Sequence, residues 1–170
     1  MTVHLVRHGR SLPDPTRPAS EWPLDPAGYD DVWALRDRLP AAAAWACSPE
    51  PKALATAELL TDGEIGVVPE LREHERAAGL FAPEDFPDVV ARAFADPARP
   101  ATDGWEPLQH CADRVVPAVR RLVEVHEGQD LVLVGHGTAW TLALAALTGA
   151  EPDLDRWAAL RMPDVWTVEV

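Results

Sequence analysis

The stretch DLVLVGHGTAWTLALAALTG, residues 130–149, decides the fold. Its apolar run Leu131–Val134, closed by Gly135, has the character of a strand covered on both faces of a sheet. His136, Gly137 and Thr138 make the turn, and AWTLALAALT continues as an apolar helix that Gly149 stops. The chain begins with a shorter copy of this plan. VHLV, residues 3–6, reads as a strand, and RHGRS, residues 7–11, as the loop at its C-terminal end. Two hydrophobic strands therefore each end in His-Gly followed shortly by a hydroxyl residue.

Working outward from these two strands, SLPDPTRPASEWP carries four prolines and reads as a surface loop. LDPAGYDDVWALRDRLP follows as a helix, with Asp25 to cap it, Pro26 in its first turn and Val32, Leu35 and Leu39 at helical spacing before Pro40. AAAAWACS, confined between prolines, suits a buried strand ending at Ser48, after which PKALATAELLTD forms a helix. IGVVPEL reads as a short strand that delivers LREHE to its end. A Pro- and acid-rich excursion occupies about residues 76–107, with VVARAFAD as its helical part, and is placed to roof a site. A helix from about Leu108 to His126 follows, with Pro117 as a kink or a late start, and VWTVEV forms the last strand. Strands alternating with helices predict an α/β fold: a three-layer α/β/α sandwich around a mostly parallel central sheet.

The 170 residues, 47% hydrophobic, suit a single domain spanning 1–170. A formal net charge of -13 argues against general nucleic-acid binding, so any anionic ligand must be held by local cations. The N-terminal stretch lacks a secretory apolar core, and no run approaches the roughly 18 apolar residues of a membrane span. A cytoplasmic protein with Cys47 and Cys111 as reduced thiols is the expectation. Most of the seven Trp sit singly among apolar residues, which points to core packing rather than a stacking platform.

In such a sheet the ligand crevice lies beyond the carboxyl ends of the strands, where RHG, the Ser48 turn, LREHE and GHG converge. Two imidazoles beside a guanidinium suit a phosphoryl group: one His can attack phosphorus, and the other, if protonated, donates to an equatorial oxygen. Gly9 and Gly137 would let the ligand approach the backbone, and the helix after GHGT would aim its N-terminal amides at the same place.

LVRHGRS, SPEPKALATAE, LREHE and VLVGHG, in that order, resemble the histidine phosphatase superfamily, with its phosphoglycerate mutase-like fold, from Val3 to about Gly149. The resemblance implies His8 as a nucleophile that becomes phosphohistidine, Arg7 as a phosphate clamp and His136 as a second phosphate contact that stabilises the transition state. It places Ser11 and Gly137 at the substrate and calls for no metal and no cofactor. Because Gly137 follows His136, the family's acid must come from the L-x-E block, as Glu73, with Glu75 in reserve. Acting as an acid requires a carboxyl pKa raised toward the working pH. Two departures stand out: Lys52 occupies the place of a usual Arg, and the family's Gly-x-Trp-Glu-Gly continuation is missing. Lys keeps the charge at the substrate but loses the bidentate fork, which casts doubt on activity.

These readings favour hydrolysis of a small phosphorylated substrate. A catalytically weakened phospholigand-binding protein and a protein phosphohistidine phosphatase are the alternatives. Trp140 spoils the dinucleotide fingerprint, no G-x-S-x-G elbow occurs, and the remaining histidines lack metal-ligand spacing.

Overall fold

The computed structural model describes residues 1–77 and 86–170; residues 78–85, inside the expected excursion, lie outside the described residues. Five strands form one sheet: β1 Thr2–Arg7, β2 Ala44–Cys47, β3 Gly66–Val67, β4 Leu131–Gly135 and β5 Asp164–Glu169. Their order is β3-β2-β4-β1-β5, all parallel except β5. β4 is the central strand, paired on both edges and buried at all five residues, which is why its sequence is apolar without interruption.

Side-chain alternation divides the core into two layers. Val3, Leu5, Leu131 and Leu133 face one way, toward α4 (Leu108–Val125) and α5 (Gly137–Thr148), where they meet Val115, Val119 and Trp140. Val6, Val132, Val134 and Cys47 face the other way, toward α1 (Tyr29–Trp33) and α2 (Pro51–Leu60), where they meet Val32, Ala57 and Leu60. Helices on both faces of a mostly parallel sheet make the three-layer α/β/α sandwich. Cys47 and Cys111 are buried free thiols in different layers.

Several elements depart from their sequence patterns. The segment expected as one helix over 25–39 breaks into 3-10 turns at Pro26–Gly28 and Arg36–Arg38 around the five-residue α1. Its Gly, Asp, Val and aromatic residues have modest helix propensity, and only Val32, Leu35 and Leu39 anchor it. Asp25 does cap it, accepting from the Ala27 N–H. β3 is only two residues long, because Pro69 brings no donor and opens a 3-10 turn over Pro69–Leu71. α4 runs through Pro117, which sits on the exposed face, where water can reach the carbonyl left without a donor. A further helix, α6 (Leu154–Ala158), capped by Asp153, was not expected. Trp33 departs from the core expectation: it is 54% exposed, with the Arg36 guanidinium 4.7 Å above its ring. Among the described residues no helix is long and apolar enough to cross a membrane.

Within the excursion, α3 spans Phe86–Ala95 and buries Val89, Val90 and Ala93. The two ends of the excursion are tied together by a bridge between Arg76 and Trp105 and by the Ala77 N–H donating to Gly104 O at 2.7 Å.

Candidate active site

The echo of His-Gly has a geometric answer in the strand register. Arg7 on β1 pairs with Gly135 on the neighbouring β4, so the next residue on each strand is a histidine. His8 N–H donates to Gly135 O at 2.8 Å, and the two imidazoles meet edge to face with centroids 5.2 Å apart. On the other flank Cys47 pairs with Val134, which carries Ser48 to the same level. Three parallel strands thus deliver His8, His136 and Ser48 to one crevice.

His8 Nδ1 lies 2.6 Å from Gly9 O. A carbonyl only accepts, so Nδ1 carries the proton and the lone pair of the neutral ring is on Nε2. Burial above all, then the charges of His136 and Lys52, hold His8 well below the ordinary imidazole value. Neutral His8 therefore has the protonation state of a nucleophile.

His136 is fully buried, with Nε2 2.8 Å from Ser48 Oγ and 3.4 Å from Glu50 Oε1. Its Nδ1 has no hydrogen-bond partner among the described residues. Burial lowers its pKa to about 3; Glu73 opposes that shift, while Lys52, Arg7 and Arg76 add to it.

Glu73 arrives by the 3-10 turn after β3 and lies over the start of α5. Its carboxylate accepts from Thr138 N at 3.1 Å, Ala139 N at 3.0 Å and His74 N at 2.9 Å. The helix terminus expected to receive a ligand anion thus holds the protein's own carboxylate. Burial pushes the Glu73 pKa up, but His136, Arg76 and the backbone donors outweigh it and hold the carboxyl below its usual range. This is opposite to the raised value expected of a resting acid. Glu75, by contrast, is exposed and ion-paired to Arg72 at 2.9 Å.

Arg7 Nη1 donates to Leu160 O at 3.1 Å, while its Nε is buried without a partner among the described residues. The two glycines differ in their role. A Cβ on Gly137 would lie 3.5 Å from Arg7 Nε, so glycine here leaves the helix start open beside the guanidinium. A Cβ on Gly9 would lie 2.5 Å from Val32 Cγ2 and 2.9 Å from Leu24 Cδ1, so Gly9 serves packing rather than close approach of a ligand.

Lys52 is neither a surface lysine nor a free cation. It is 4% exposed, and Nζ donates to Glu50 Oε2 at 2.5 Å and to Ala19 O at 2.6 Å. Glu50 Oε1 in turn accepts from Glu73 N at 2.8 Å. These residues line a cavity of about 720 Å³ that Ser11 also borders, with Trp22, Phe86 and Trp105 among its walls. Sequence reasoning passed over Glu50, although it stands inside SPEPK, and Arg76, which follows LREHE directly. The Arg76 guanidinium lies 4.7 Å from the Phe86 ring centroid and 4.6 Å from that of Trp105.

Comparison with known proteins places this arrangement. No curated protein sequence matches the chain. Among solved structures, Bacillus stearothermophilus YhfR superposes with a TM-score of 0.78 at 26% identity, covering 99% of this chain and 91% of that one. A mycobacterial glucosyl-3-phosphoglycerate phosphatase gives a TM-score of 0.73 at 22% identity over 99% and 92%. A phosphoserine phosphatase from Entamoeba histolytica gives 0.72 at 17% identity over 98% and 89%. The family model of the histidine phosphatase superfamily (branch 1) matches residues 3–168, and the chain belongs to that superfamily.

Proposed function

We propose that the protein hydrolyses a small phosphomonoester through a phosphohistidine on His8, without a metal ion. The observation that carries this reading is the Nδ1–H bond to Gly9 O, which leaves the Nε2 lone pair of a neutral His8 as the nucleophile. In the first displacement Nε2 attacks phosphorus and the ester P–O bond breaks, with Glu73 passing a proton to the leaving oxygen. In the second, water attacks phosphorus, Glu73 takes its proton and the P–N bond breaks, which restores His8. Arg7, Lys52, His136 and the Ser11 hydroxyl hold the phosphoryl oxygens, with Gly137 leaving room for them.

Glu73 is ionised in the free protein, so the first proton comes from outside it. A phosphomonoester monoanion, whose second pKa is about 6, supplies that proton on binding. Residues 1–170 act as one domain on this reading, and the described residues of the excursion that border the cavity, Phe86 and Trp105 among them, limit water around the reacting groups.

Rapid quenching with a labelled phosphomonoester tests the proposal. An acid-labile, alkali-stable adduct that disappears in His8→Ala supports it, and an adduct that persists in His8→Ala overturns it. Insensitivity to EDTA is expected; activity lost to chelation and restored by one divalent ion overturns the metal-free mechanism.

The Glu50–Lys52 pair favours a second reading, a phosphoryl-binding protein with little turnover, because it places a carboxylate where the substrate's anion must sit. Orthophosphate binding without any adduct in the quench identifies that case.

A further inference from the structure

Glu50 brings to the cavity a charge of the wrong sign for an anion site. It is 5% exposed and lines the cavity with Arg7, His8, Lys52 and His136. Each of its oxygens holds one hydrogen-bond donor: Oε1 accepts from the Glu73 N–H at 2.8 Å, and Oε2 from Lys52 Nζ at 2.5 Å. His136 Nε2 stands 3.4 Å from Oε1, and the Arg76 guanidinium feels the Glu50 charge. An ionised carboxylate has about four lone-pair sites and no proton to give, so Glu50 keeps accepting capacity beside the place proposed for the phosphoryl oxygens. Glu73 differs. Its Oε1 already accepts from the His74 and Ala139 N–H groups and its Oε2 from that of Thr138, so backbone donors use most of its capacity.

A fully ionised oxyanion would meet this carboxylate lone pair against lone pair, which is most costly where water is excluded. An oxyanion that keeps one proton can instead donate an O–H to it, and a bond of that kind is short and strong. Lys52 offsets the charge of Glu50 but not the mismatch of lone pairs. Its Nζ has three donors, of which Glu50 Oε2 and Ala19 O take two, leaving one N–H for a phosphoryl oxygen. One donor and one acceptor on neighbouring side chains match a singly protonated phosphoryl group.

We infer that Glu50 determines which anions the site accepts, by taking a hydrogen bond from a protonated phosphoryl oxygen. The ligand class is an oxyanion that carries a proton as well as a charge: the monoanion of a phosphomonoester, or singly charged orthophosphate. Sulfate, which holds no proton near neutral pH, is refused. The inference rests on the phosphatase reading above, which seats the phosphoryl group in this cavity. It gives that reading a reason for the ionic form of the substrate, because the monoanion is the form that brings in the proton Glu73 lacks.

Orthophosphate and sulfate are close in size and shape, so comparing them isolates the proton. In calorimetric titrations at about pH 6 and constant ionic strength, the parent protein should bind orthophosphate about tenfold to a hundredfold more tightly than sulfate, the size of one charge-assisted contact. Glu50→Gln, whose amide can donate to sulfate, should collapse this ratio. Glu50→Asp should keep most of it, and Glu73→Gln should leave it unchanged. Glu50→Ala combined with Lys52→Met removes the buried charge together with its partner, and should also bind the two anions alike if Glu50→Gln does not fold. A ratio cancels losses common to both anions, including those from a loosened pocket. Equal binding of the two anions by the parent overturns the inference without any variant. So does a ratio that survives in Glu50→Gln or in the double variant, or one that is lost in Glu73→Gln instead. Binding of neither anion by the parent, together with no adduct in the quench, overturns the phosphatase reading and this inference with it.

Discussion

The two His-Gly turns have the same local sequence at the ends of adjacent strands, yet the structure uses them differently. At the end of β1, His8 keeps Nε2 free because its Nδ1 proton is bound to the neighbouring carbonyl, and Gly9 is small because Val32 and Leu24 occupy the space of a side chain. At the end of β4, His136 is wholly enclosed, with Nε2 against Ser48 and Glu50, and Gly137 opens a helix whose amides hold Glu73. The strand register brings the two rings together, but their neighbours set them apart: on the proposed reading one is a nucleophile and the other a fixed contact. Equal sequence therefore does not imply equal roles.

The largest effect should come from removing each ring in turn. His8→Ala should abolish the phosphoenzyme altogether, because the proposed adduct forms on His8 alone. His136→Ala should still form the adduct on His8, slowed by about a hundredfold to a thousandfold, as for loss of one transition-state donor. Single-turnover quench kinetics read both. Adduct formation in His136→Ala at the parent rate would remove His136 from the transition state and leave the two turns less distinct than proposed.

The second test addresses the buried ion pair that lies against His136; the pair beside Gly9, Arg10 with Asp25, is open to solvent. Lys52→Ala strands the Glu50 carboxylate in a buried site, which should cost about 3–5 kcal/mol of stability. Replacing both residues, as Glu50→Gln with Lys52→Met, should cost markedly less. Urea unfolding of the two variants decides it. Equal losses would mean that the pair is not coupled and that Lys52 is free to bind phosphate on its own.

Much of this site was legible in the sequence. The apolar run of β4 and its shorter copy in β1 fixed the paired strand ends, because strand burial is written directly in composition. Glu73 was legible through the L-x-E block. What was hidden depends on tertiary placement. Glu50 matters because Lys52, His136 and the Glu73 amide all converge on it, and Arg76 matters because two aromatic residues ten and twenty-nine positions away close over it. The break-up of the 25–39 helix was hidden too, because the spacing of Val32, Leu35 and Leu39 fits either a continuous helix or a series of short turns on the same surface.

The glycines give a smaller contrast. Gly9→Ala must displace Val32 and Leu24 and should cost about 1–3 kcal/mol, as overpacking does. Gly137→Ala meets Leu160 Cδ1 at 3.1 Å, near the end of a movable side chain, and sits in a helix, so its stability should change less. Its cost should appear in KM instead, because the methyl takes up space beside Arg7 that the proposed phosphoryl group would use. Thermal melts and substrate titration of the pair separate packing from binding, and a reversed order of stability would undo the distinction between the two turns.

The last contrast concerns protons. His136 has an ordinary value of 6.5 when unfolded and about 3 in the fold, and His8 is lowered in the same direction, so both rings are buried neutral. Below pH 6.5 the unfolded chain takes up protons that the native rings refuse, so stability is fully present above that value and declines as the pH falls toward the native one. Each such ring contributes up to about 1.4 kcal/mol per pH unit within the window. Glu73, also lowered in the fold, adds acid sensitivity only as the pH approaches its ordinary 4.5, so the interval from 6.5 to about 5 belongs to the histidines. His136→Gln should therefore flatten the loss of urea stability across that interval, even though its absolute stability changes. His8→Gln should flatten it as well, because burial and the charges of His136 and Lys52 hold that ring well below the ordinary value in the same direction. A slope unchanged in His136→Gln would mean that this ring is already charged in the native protein, and its pairing with Glu50 would then be an ion pair rather than a contact to a neutral imidazole.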